Sequence, residues 1–141
     1  MRAKGARSKW TVLATTAVVG LALSLVGCAH FGGLSPVAVS DVKSVAGTWK
    51  GVVYASNSEP QTIAVMIAED GSYDIVVSLQ PVGEDRGKGQ ITIRDGRLFF
   101  QGVKGRALGT VLTNSAGDRV MSVEATMSDN SLLTAQLSPT R

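Results

Sequence analysis

Cys28 is the residue of this chain whose position most directly indicates a reaction. It is the chain's single cysteine and directly follows Leu25, Val26 and Gly27. A cysteine thiolate is a strong nucleophile near neutral pH. With no second cysteine in the chain, an internal disulfide is impossible. Cys28 is therefore the one thiol nucleophile that the chain can offer.

The residues before Cys28 have the pattern of a secretory signal. Four cations form a positive start and are followed by an uncharged run over residues 10–26. The apolar part, residues 11–26, is 16 residues long. A transmembrane helix needs about 20. We therefore predict a cleavable signal peptide over residues 1–27. The four cations are Arg2, Lys4, Arg7 and Lys9.

Leu25-Val26-Gly27-Cys28 resembles the lipobox of bacterial lipoproteins at all four positions. The resemblance implies a diacylglycerol thioether on Cys28, cleavage after Gly27, and acylation of the new amino group, with palmitate as the expected acyl chain. Two or more acyl chains anchor a protein durably to a membrane. Ala29 follows the cysteine where Asp would resemble an inner-membrane retention signal. The expected location is thus the cell envelope, on the outer membrane facing the periplasm.

Charge gives no support for a nucleic-acid partner. The whole chain has a formal charge of +3, but four of its 14 Lys and Arg residues and none of its 11 Asp and Glu residues precede Cys28. The part that begins at Cys28 therefore has 10 cations and 11 anions, a formal charge of −1. The positive balance belongs to the signal. We expect no nucleic-acid binding, and a monomer.

The sequence contains few residues that could act in catalysis. His30 is the only histidine, and from Val45 onward the chain contains neither His nor Cys. A serine or carboxylate nucleophile there would lack an imidazole base. We expect no catalysis, no metal and no cofactor. Weaker candidates remain in adjacent carboxylates, in glycine-rich basic stretches without the spacing of a phosphate-binding loop, and in Ser–Lys dyads or carboxylate pairs across strands. They are Glu69-Asp70, Glu84-Asp85, Gly87-Lys88-Gly89, residues 102–106, Lys50, Lys104, Asp74 and Glu124.

Short apolar stretches separated by turn residues predict an all-β fold. Several of them alternate apolar and polar residues, which is typical of strands with one buried face. Eight consecutive hairpin-linked strands form an up-and-down meander, and such a sheet removes its exposed edges by closing into a small antiparallel barrel. We predict a tether over residues 28–44 and a barrel over 45–141. The predicted strands are 48–54, 62–68, 73–79, 89–94, 97–101, 108–113, 119–125 and 132–137.

Gly47-Thr48-Trp49 is similar to the Gly-x-Trp that opens lipocalin barrels. The resemblance implies a tryptophan that closes one end of the barrel beside an arginine, for which Arg119 and Arg141 are the candidates. Eight strands enclose room for side chains or for one small ligand. With aromatic and aliphatic residues pointing inward, we expect a packed interior. Trp49 and Tyr73 are the candidate ligand-binding residues.

These observations favour a lipid-anchored envelope lipoprotein with a small non-catalytic barrel that binds an apolar or amphipathic ligand. The alternative is a protein-binding envelope module, such as a protease or lysozyme inhibitor. A filled barrel interior would favour the second function, and a dry apolar pocket would favour the first. A hydrolase is the third class and has the least support.

Overall fold

A computed structural model describes residues 33–79, 81 and 83–141. The predicted signal peptide, Cys28 and His30 lie outside the described residues. The described chain is almost entirely extended, with one short 3₁₀ helix at Val42–Val45. The strands are β1 (Ser35–Val37), β2 (Gly47–Ala55), β3 (Gln61–Ile67), β4 (Ser72–Ser78), β5 (Glu84–Arg94), β6 (Arg97–Gly102), β7 (Gly105–Thr113), β8 (Arg119–Met127) and β9 (Leu132–Pro139).

Strands β2 to β9 form a closed antiparallel barrel. Each pairs with the next strand along the chain, and β9 returns to pair with β2, with Gly51 opposite Leu137. Closure satisfies the backbone groups that an open sheet would leave at its edges. The predicted all-β, eight-stranded, up-and-down barrel is confirmed.

The core lies inside the barrel because alternate residues of each strand point inward. In β3 the buried residues are Ile63, Val65 and Ile67, and in β9 they are Ala135 and Leu137. The buried positions of these strands therefore follow the alternation of apolar and polar residues in the sequence. The strand pairings and the core cluster lie within residues 33–141, so this segment contains the complete barrel.

Strand β5 begins five residues before its predicted start at Gly89. The stretch from Glu84 to Lys88 is charged and contains glycine, so it has no apolar alternation to reveal a strand. This stretch is extended because it pairs with β4: Asp85 and Gly87 lie opposite Val77 and Ile75. Backbone pairing with an apolar neighbour thus makes a strand from a sequence that indicates a turn.

The predicted tether and the domain start at residue 45 need correction, because the chain packs against the barrel from Ser35. Strand β1 pairs with β7, with Ser35 opposite Thr113. Further along, the Val39 N–H donates to the Gly96 carbonyl at 2.9 Å, and Val39 and Val45 are only 4% and 1% exposed. These isolated apolar residues have no period of their own because each one fills a separate gap at the end of the barrel.

Among the described residues, no helix is both long and apolar enough to cross a membrane.

Candidate ligand-binding cavity

The two ends of the barrel differ in packing. We call the end beside the 3₁₀ helix the closed end; there Trp49, Leu98 and Met121 are 2% exposed or less. We call the other end the mouth, where β2, β4, β6 and β8 finish and the next strands begin. A cavity of about 590 Å³ extends into the barrel on the mouth side. The expectation of a packed interior is therefore wrong for this half.

Small inward-facing residues create the cavity. An eight-stranded barrel is just wide enough for its own side chains to fill, so a hollow interior requires some of those side chains to be missing. Seven of the cavity-lining residues are alanine or glycine and come from six different strands; they are Ala55, Gly87, Gly102, Gly105, Ala107, Ala125 and Ala135. A Cβ atom placed on Gly87 would meet no atom within 4 Å. Most of the larger lining residues are aliphatic, aromatic or methionine, so the walls are largely apolar.

Trp49 lies at the closed end and is not one of the residues that line the cavity. Its indole Nε1 donates to the Val45 carbonyl at 2.9 Å. The Arg119 guanidinium lies 5.6 Å from the centre of the indole ring and donates to the Ser44 carbonyl at 2.8 Å. Trp49 therefore ties the 3₁₀ helix to the barrel, and of the two candidate arginines Arg119 is the one in contact with it.

Tyr73 lies in the cavity wall, so only one of the two predicted ligand-binding residues reaches the cavity. Its ring makes an edge-to-face contact with Phe100, with ring centres 5.2 Å apart. The side chain extends across Gly89 and Gly102, where a Cβ atom on either glycine would lie 2.7 Å from the Tyr73 hydroxyl. Burial raises the pKa of the Tyr73 hydroxyl above its usual value, so this hydroxyl is a neutral hydrogen-bond donor at ordinary pH.

Charged residues surround the mouth. Lys104 pairs with Asp85, and Arg86 pairs with Glu84 at 2.8 Å. All four side chains are about half exposed or more, and exposed pairs of this kind contribute little to stability. In the turn that carries Lys104, the neighbouring Val103 is 93% exposed. The mouth is thus a polar rim around an apolar interior.

Two pairs of the weaker catalytic candidates do meet: Lys104 with Asp85 as an exposed ion pair, and Asp74 opposite Lys88 on the neighbouring strands β4 and β5. Asp74 and Glu124 lie on β4 and β8, which are not neighbours, so the possibility that they meet across strands is wrong. Asp70 accepts hydrogen bonds from the Ser72 hydroxyl and N–H at 2.7 and 2.9 Å, which lower the pKa of its carboxyl group and make it a weaker base. Within the described residues, no group of three or more His, Cys, Asp or Glu could hold a metal ion.

The residues that sequence reasoning missed are the small ones. Ala125 and Ala135 lie on the apolar, inward side of the alternation in β8 and β9, and their small side chains leave the interior open. A run of small residues at the inward positions of predicted strands is the signal that would have indicated a hollow barrel.

No family model matches this chain, and no curated protein matches it. A solved structure of a redesigned beta barrel is similar in backbone, with a TM-score of 0.49 and 13% identity, covering 73% of this chain and 99% of the other. The architecture is established by the strand pairings of the chain itself: it is a small, closed, eight-stranded β-barrel.

Proposed function

We propose that the barrel binds a small apolar or amphipathic molecule in its cavity. The observation that carries this proposal is a preformed apolar space of about 590 Å³ that opens at the mouth. Ligand sites are typically clefts of about 300–1,000 Å³, lined by apolar groups with a few polar ones. Apolar cavities hold water poorly, so transfer of an apolar ligand into one is favourable.

The hollow interior also distinguishes between the two binding functions, binding of a small ligand inside the barrel and binding of a protein to its outer surface. A protein-binding barrel needs an outer surface and gains nothing from missing core side chains. A small residue at a core position lowers the stability of the fold, because each methylene group that is not buried there forgoes about 0.8 kcal/mol. Small residues at cavity positions on six strands, including Gly87 and Ala125, therefore favour an internal ligand.

Binding is tested with residues 33–141 and an environment-sensitive apolar dye, anilinonaphthalene sulfonate. We expect saturable enhancement of its fluorescence, with one dye per barrel, and displacement by straight-chain lipids. Fluorescence that rises without saturation, or that a straight-chain lipid does not displace, would contradict an internal site.

We further propose that the protein is a lipoprotein of the cell envelope, anchored through acyl chains on Cys28. The support is the lipobox match together with the charged and apolar segments before it. Replacement of Cys28 by serine should abolish lipid attachment and release the protein from the membrane fraction, because an alcohol does not replace the thiolate as nucleophile. The measurement is membrane partitioning together with gel mobility.

The matched control for Cys28→Ser is Ala29→Ser, which places the same side chain one residue later and keeps the thiol. This control should remain in the membrane fraction. A Cys28→Ser protein that is processed and partitions like the parent would refute the anchor. Fractionation of the two membranes then tests the expected position on the outer membrane.

We propose that the barrel acts by binding alone, without catalytic turnover. From Val45 onward the chain lacks His and Cys, and the carboxylates and lysines near the cavity mouth are exposed. Water keeps such groups weak as acids and bases. A panel of ester, peptide and glycoside substrates should give no rate above background with the purified barrel. Turnover that disappears when one lysine or carboxylate is replaced would overturn this proposal.

A further inference from the structure

The Tyr73 hydroxyl is an unusual group in the cavity wall. The Tyr73 residue is only 6% exposed, and among the described residues its hydroxyl makes no hydrogen bond. The other residues that line the cavity with polar side chains are more exposed than Tyr73: each is half-buried or exposed. The fold therefore carries one donor inside an otherwise apolar space.

The hydroxyl oxygen still has access to the cavity. Within the described part of the chain, no fully buried side-chain oxygen or nitrogen lacks a hydrogen-bond partner. Since the Tyr73 hydroxyl has no partner there, it must retain some accessible surface, and Tyr73 lines the cavity. An acceptor atom on a molecule inside the barrel can thus reach it.

The surroundings of Tyr73 decide which acceptor suits it. Its neighbours are the Phe100 ring and the backbone of Gly89 and Gly102, and none of them carries a charge. The cations among the lining residues are all exposed to solvent, and two of them are already paired, Lys104 with Asp85 and Arg86 with Glu84; the four are Arg86, Lys88, Lys104 and Arg106. An ionised carboxylate or phosphate would lose its hydration beside Tyr73 without gaining a counter-charge, which is costly. The free-energy cost of removing an uncharged oxygen from water is much smaller.

We infer that Tyr73 selects the ligand of this cavity, and that the ligand is an elongated apolar molecule bearing one uncharged carbonyl oxygen, which accepts a hydrogen bond from the Tyr73 hydroxyl. The ligand is thus an ester or a ketone, distinct from a plain hydrocarbon or a fatty-acid anion. This inference rests on the proposed binding function and assigns its ligand class.

The test compares two probes, a straight-chain methyl ketone and the alkane of equal chain length, on residues 33–141. Tyr73→Phe removes only the hydroxyl. Its matched control is Tyr54→Phe, which makes the same change at the other tyrosine, 47% exposed on β2. Affinities are measured by dye displacement, and circular dichroism verifies that each variant is folded.

We expect Tyr73→Phe to reduce the preference for ketone over alkane by about threefold to tenfold, the range for one net hydrogen bond, with alkane affinity kept. Tyr54→Phe should leave that preference unchanged. An equal preference in the parent and in Tyr73→Phe overturns the role of Tyr73 while the binding function stands. Failure of the parent to bind either probe overturns both.

A second measurement needs no variant. The infrared carbonyl stretch of the ketone bound to the parent barrel should lie at lower frequency than in alkane solvent, because a hydrogen bond weakens the C=O bond. A bound ketone with the frequency of alkane solution would overturn the inference.

Discussion

Replacement of Trp49 by alanine is expected to lower the free energy of unfolding of the barrel by about 3–5 kcal/mol. The indole is 2% exposed at the closed end, so its loss leaves a large void among core side chains. It also removes the hydrogen bond to the Val45 carbonyl and the surface on which Arg119 lies. The 3₁₀ helix and Val45 should separate from the barrel as a result. The measurement is equilibrium urea unfolding of residues 33–141, followed by circular dichroism.

Tyr54→Ala is the matched control, since Tyr54 is also an aromatic residue of β2 but is 47% exposed on the outer face. It should cost much less than Trp49→Ala. A Trp49→Ala barrel as stable as the parent would mean that the closed end is not packed as described. Because the cavity is lined by other residues, any Trp49→Ala protein that remains folded should still bind the dye.

Replacement of Gly87 by isoleucine is expected to weaken ligand binding by more than about tenfold without unfolding the barrel. The new side chain enters the cavity, and displacing two methylenes of a ligand already costs about 1.6 kcal/mol. Gly87 tolerates the change because a Cβ atom there meets nothing within 4 Å, and β-branched residues favour strands. At Gly89, two residues further, a Cβ would lie 2.0 Å from the Gln101 carbonyl oxygen, so the same change there should disrupt the sheet.

Thr92→Ile is the control for Gly87→Ile, because it adds the same residue to β5 on the exposed outer face. Dye titration and thermal unfolding of both variants separate loss of binding from loss of fold. Full affinity in a folded Gly87→Ile barrel would place the binding site outside the cavity.

Local sequence pattern was sufficient for much of the barrel. Alternation in stretches such as Ile63-Ala64-Val65 predicts both a strand and its buried face, because side chains of a strand alternate between its two sides. Turn residues between such stretches predict hairpins, and eight hairpin-linked strands predict closure. These features depend on residues close together in the chain. The lipobox is equally local, and its consequence remains a prediction.

Other features depend on residues that are distant in the chain. Strand β5 begins at Glu84 because β4 lies beside it, and residues 35–45 pack because the closed end has gaps that Val39 and Val45 fill. Arg119 contacts Trp49, far from it in the chain, because β8 starts at the closed end, where Trp49 lies. The cavity exists because small residues of six strands face one another across the barrel. Each alanine or glycine is unremarkable in its own strand, and only closure of the sheet adds the missing volumes into one space.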